Sequence, residues 1–83
     1  MRFDWEADPT EVDNEGIFWH HIYVLTPMGM ISVEGRDWVV NEPAAKMPWG
    51  EAIYAESFND AKELVQASWD RMMERLHEYN LGH

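Results

Sequence analysis

Two histidines stand side by side, His20 and His21, in the run IFWHHIYVLT, and carboxylates are plentiful in the sequence around them. Imidazoles near acids are the residue types of a metal site or of proton transfer. The spacing argues against a shared metal. If the run is a strand, neighbouring side chains leave opposite faces, so His20 and His21 cannot chelate one ion together. His77 falls on the outer side of a C-terminal helix, and His83 ends the sequence. One His with nearby carboxylates stays open as a metal or small-molecule site. No nucleophile signature and no phosphate-cradling glycine loop is present. Without cysteine there is no thiolate zinc site and no disulfide. The expectation is a protein that is not an enzyme and needs no cofactor.

The acids themselves are the stronger pattern. Asp4, Glu6 and Asp8 alternate along the chain, as do Glu11, Asp13 and Glu15. In extended backbone each series sets charges about 6.6 Å apart on one side. Glu63, Asp70, Glu74 and Glu78 gather on one side of a helix, where the i,i+4 step is about 6 Å. Such rows could stand in for the phosphates of a nucleic-acid strand, with these ten residues as the partner-binding set. An acidic surface that only keeps a small domain soluble accounts for the same residues. Sixteen acids against six bases give a net charge of −10. Nucleic acid and anionic membranes would repel such a chain, and a basic protein surface would attract it.

The elements that must carry these rows can be read from pattern. Eighty-three residues make one domain, here divided as an acidic lead-in (1–16), a β-meander (17–56) and an amphipathic helix (57–80). Five Trp, three Tyr and three Phe belong to a folded core and not to a disordered acidic tail. The lead-in alternates over Arg2–Glu6 as an edge strand would, and Pro9 stops it. Ile17–Thr26 reads as a strand. Pro27 and Gly29 suit a three-residue hairpin loop, in a register that sets Thr26 against Met30, Leu25 against Ile31 and Tyr23 against Val33. Gly35 suits a second, two-residue turn, which sets Val33 against Trp38 and Ile31 against Val40. Tyr23, Leu25, Ile31, Val33, Trp38 and Val40 then share a buried face with Ile17 and Trp19. Residues 41–50 read as a loop and Glu51–Ala55 as a fourth strand. Ser57 caps a helix whose buried stripe is Phe58, Ala61, Val65, Ser68, Trp69, Met72, Leu76 and Tyr79. The predicted fold is α+β: an antiparallel sheet of three to four strands packed on one C-terminal α-helix.

YVLTPMG (23–29) followed by AESFNDAKELVQASWDRMMERL (55–76) resembles small uncharacterised proteins of tailed bacteriophages and prophages. Those carry an aromatic strand ending in Thr-Pro-aromatic-Gly and a helix of the type TLEEAKAAAQADYEARI. Ser57, Ala61, Lys62, Gln66, Ala67, Trp69 and Arg71 match residue types in that helix, and Met28 replaces the usual aromatic. The resemblance implies a phage or mobile-element protein in the host cytoplasm. Its implied partner is the basic surface of a host nucleic-acid-binding protein, and its sharpest form is an anti-CRISPR-type inhibitor; this is analogy at the level of origin. A self-associating accessory protein, dimerising through Phe18, Ile22, Val24, Met30 and Val39, is the alternative.

Overall fold

The computed structural model describes residues 1–36 and 42–81, with side chains considered as far as Glu78. Among the described residues six strands precede one helix: β1 (Glu6–Ala7), β2 (Glu11–Val12), β3 (Phe18–Thr26), β4 (Gly29–Gly35), β5 (Ala44–Lys46), β6 (Ala52–Tyr54) and α1 (Phe58–Leu81). The sheet order is β1-β3-β4-β5-β6, every neighbour antiparallel, and β2 also pairs with β3. The α+β class and the helix-on-sheet packing follow the sequence expectation, on a sheet with more strands.

The β3–β4 hairpin forms where expected but one residue out of the predicted register. Thr26 pairs with Gly29, Leu25 with Met30, Val24 with Ile31 and Ile22 with Val33. The loop closes with two residues, Pro27 and Met28. Gly29 takes φ +116 while already paired. The Thr26 hydroxyl accepts from the Met28 N–H and donates to the Gly29 carbonyl, tying the turn from within. The slip exchanges the faces of β3. His20, Ile22 and Val24 point into the core with Ile31 and Val33, while Trp19, Tyr23 and Leu25 point away from it. The expectation of Trp19, Tyr23 and Leu25 in the core is therefore corrected. So is that of Ile22 and Val24 on a second, dimerising face.

The neighbour of β4 differs from the predicted one. Trp38, Val39 and Val40 lie outside the described residues. Val33 and Glu34 pair instead with Ala45 and Ala44 of β5, inside the segment read as a loop. Three residues between Pro43 and Pro48 are too short to show a period, and alanine carries little strand preference. Gly35, read as a turn residue, belongs to β4 and pairs with His20. Its lack of a side chain answers a close approach: a Cβ there would lie 3.1 Å from the Phe58 ring and 3.2 Å from Pro43.

The helix starts as expected. The Ser57 Oγ accepts from the Asp60 N–H at 3.1 Å, and the Ser57 carbonyl accepts from the Ala61 N–H. Phe58, Ala61, Val65 and Trp69 close over Ile22, Val24, Ile31, Val33, Ala45 and Ile53. The lead-in contributes to this core. Phe3 is buried, its ring edge-on to Trp69 at 5.3 Å. Its N–H donates to Gln66 Oε1, while Gln66 Nε2 donates to the Met1 carbonyl. Beyond Met73 the helix leaves the sheet. Residues 74–78 are all exposed, Leu76 included, and the molecule is 54 Å long but about 20 Å across.

Candidate partner-binding face

The helix covers one face of the sheet, and the other face is open. What occupies the open face is set by a bulge in the lead-in. Glu6 pairs with Tyr23 and Ala7 with Ile22, but Glu11 pairs with Trp19 and Val12 with Phe18. Between these pairs the lead-in holds Asp8, Pro9 and Thr10, whereas β3 holds only His20 and His21. One extra residue therefore sits opposite the two histidines. Pro9 fits there because it has no N–H to donate to a ladder. The bulge changes the parity of the alternation. Asp4, Glu6 and Asp8 are even-numbered and Glu11 and Asp13 odd-numbered, yet both sets come to the open face.

Side-chain contacts fix this placement. Glu6 Oε2 accepts from the Tyr23 hydroxyl at 2.9 Å, Asp8 Oδ2 lies 2.5 Å from His21 Nδ1, and Asp13 Oδ2 accepts from the Trp19 indole at 2.9 Å. A lane of carboxylates thus runs beside a lane of rings formed by Trp19, His21 and Tyr23, and Leu25 and Met30 end the ring lane, 71% and 56% exposed. One register row crosses the whole face: Asp8, His21, Glu34, Ala44, Tyr54. Tyr54 is 72% exposed, and small residues (Ser32, Ala44, Ala52) leave an open groove between it and Trp19. The cations here are Arg36, whose guanidinium lies 5.7 Å from the Trp19 ring centroid, and Lys46.

Local hydrogen bonds hold one member of the lane, Asp13, in its charged form. Asp13 also accepts the Glu15 and Ile17 N–H groups at 2.8 and 3.0 Å, closing the turn in which Gly16 takes φ +80. The Trp19 indole first, then the Ile17 and Glu15 amides and the nearby Arg36 charge, hold the Asp13 carboxyl below its ordinary value of 3.8. The Tyr23 phenol is pushed above its ordinary value of 10.0 by its hydrogen bond to Glu6 and by the charge of that carboxylate.

The ten expected contact residues do not form one site. Asp4, Glu6, Asp8, Glu11 and Asp13 share the open face, and Glu15 sits in the turn after β2. Glu63, Asp70, Glu74 and Glu78 are on the helix, across the molecule. Glu63 is ion-paired with Arg2 at 2.9 Å, and Asp70 accepts from Gln66. Glu74 and Glu78 are exposed on the overhanging turns beside Arg71 and Arg75. The two histidines separate as expected. His20 is buried, 3.2 Å from the Thr10 hydroxyl and edge-on to Phe58. His21 is on the open face. Among the described residues no three His, Asp or Glu side chains are grouped to hold a metal ion. No helix among them is long and apolar enough to cross a membrane.

Sequence reasoning missed the ring lane, Glu34 and Tyr54. A signal for the bulge was present: two alternating acid series of opposite parity, separated by Pro9. Comparison with family models, with curated proteins and with solved structures gives no match.

Proposed function

We propose that this chain is a non-catalytic binding protein whose open sheet face engages a basic surface on a protein partner. In its specific form the partner is a nucleic-acid-binding protein of a bacterial host. The chain would then act as an inhibitor of the anti-CRISPR kind, encoded by a phage or mobile element. The specific form rests on the sequence resemblance. The general form is supported by one observation: the bulge at Pro9–Thr10 brings two carboxylate series into a single lane on the uncovered face. Exposed like charges in a row repel one another, so apart from the Asp13 turn the gathering of acids into one lane does not itself favour folding. It raises the local negative potential and so steers a cationic partner.

The test is capture from a bacterial lysate on immobilised protein at low and at high salt. Solvent-exposed charge attraction weakens as the screening length falls from roughly 10 Å at 0.1 M to roughly 3 Å at 1 M. The expected result is capture of basic nucleic-acid-binding proteins that salt releases. Salt-resistant capture, or capture of acidic proteins, would count against the reading. Exposed Leu25, Met30 and Tyr54 favour self-association as the second reading. Sedimentation separates the two: a monomer is expected here, and a tight dimer would favour the second.

A further inference from the structure

Resting on the binding role proposed above, we infer that the open face recognises arginine side chains on an extended segment of the partner, each guanidinium seated against a ring of β3 and its neighbouring carboxylate. Three ring–carboxylate pairs stand in sequence along the strand. Trp19 has Glu11 opposite and Asp13 on its indole, His21 has Asp8, and Tyr23 has Glu6. Side chains on one side of an extended peptide repeat about every 6.6 Å, whereas the His21 and Tyr23 rings stack on each other with centroids 5.7 Å apart, so a guanidinium reaches the outer face of Tyr23 and not the space between the two rings. A ring face attracts a cation, and a carboxylate beside it can accept two N–H groups from one guanidinium.

At one end the ring half of such a seat is taken by the chain's own Arg36. Arg36 lies over Trp19, with Asp13 bound to the same indole. Tyr23 and Glu6, farther along the lane, have the same components; the cation beside them is Arg2, which lines the same hollow but gives its guanidinium to Glu63. Glu6 gives one oxygen to the Tyr23 hydroxyl and keeps the other. Leu25 and Met30 supply exposed apolar surface for a neighbouring apolar side chain on the same segment. Arginine fits better than lysine because its planar, weakly hydrated group can stack and form paired hydrogen bonds together.

The experiment uses the full chain and two short extended peptides, one with arginine at alternate positions and one with lysine at the same positions. Binding is followed by the NMR shift of the Trp19 indole N–H and the backbone amides of β3. The expected result is that the arginine peptide binds about tenfold more tightly, with shifts confined to the lead-in, β3 and β4. Tyr23→Leu, on the exposed face and neutral like the tyrosine it replaces, should bring the arginine peptide down towards the lysine peptide. Arg36→Lys, which keeps the charge but weakens the internal occupant of the Trp19 seat, should tighten arginine binding. Equal affinity for the two peptides, with shifts on the same face, would overturn the arginine inference and leave the basic-partner reading standing. Shifts on the helix, or no binding by either peptide, would overturn both.

Discussion

The two faces of the sheet are built from alternate residues of the same strands, and they are organised on different principles. The covered face takes Ile22, Val24, Ile31, Val33, Ala45 and Ile53 against the helix, all at or below 8% exposure. Its polar members, His20 and Gln66, have partners. The open face takes Trp19, Tyr23, Leu25, Met30 and Tyr54, which are as large and apolar, yet leaves them in contact with water beside a lane of carboxylates. Apolar content alone therefore does not say which face of β3 is inside. The helix, the hairpin loop and the N-terminal latch on Gln66 decide it.

The largest expected effect separates the faces directly. Ile31→Ala should cost about 2–5 kcal/mol in urea unfolding, because it opens a cavity under the helix. Leu25→Ala, one pair away in the hairpin but on the open face, should stay within about 0.5 kcal/mol. Comparable losses would mean that the faces are assigned the wrong way round. Next comes Gly35→Ala. A methyl group would press on Phe58 and Pro43, so a loss of about 1–3 kcal/mol is expected. A neutral result would show that the helix does not sit so close to β4.

Smaller effects sharpen the comparison through pH. Asp13 anchors the open-face turn. Glu51 ties the covered side, since it accepts from the Ser68 hydroxyl and from the Trp49 indole, and these bonds, Ser68 first, hold it below its ordinary 4.5. A carboxyl whose folded pKa is depressed stabilises the fold above its unfolded pKa. That contribution is lost as pH falls through the folded value. Asp13→Asn and Glu51→Gln should therefore each flatten the acid limb of the stability curve below about pH 4. An unchanged acid limb would remove the hydrogen-bond assignments. The least effect is alkaline. Tyr23 should ionise above 10.0 in an ultraviolet titration, and Glu6→Gln should lower that value. A Tyr23 titration that ignores Glu6 would show that the lane does not touch the rings.

Much of this fold was legible because its signals are local. Ser57 with Asp60 announced the helix start, the helical stripe announced its buried side, and the Thr-Pro-x-Gly segment announced the hairpin. The register was not legible, for a physical reason. Both faces of β3 carry apolar residues, so a slip by one residue replaces Tyr23 and Leu25 with Ile22 and Val24 at no cost visible in the pattern. β5 escaped because three residues show no period. The carboxylate series were legible as two rows, but their union depends on a single extra residue at Pro9–Thr10, seen only once strands are paired. The ring lane was hidden behind the wrong register, because a face read as buried offers nothing to a partner.

On the binding role proposed above, the position of the lead-in carboxylates, and not the total charge, makes the binding surface. The direct measurement compares two variants raised by the same charge: Glu6→Gln/Asp8→Asn/Glu11→Gln on the open face, and Asp70→Asn/Glu74→Gln/Glu78→Gln on the helix across the molecule. Both are titrated with the arginine peptide at one ionic strength. The expected result is about a tenfold or greater loss for the first and less than about twofold for the second. Equal losses would show that net charge alone attracts the peptide, and the open face would have no special role.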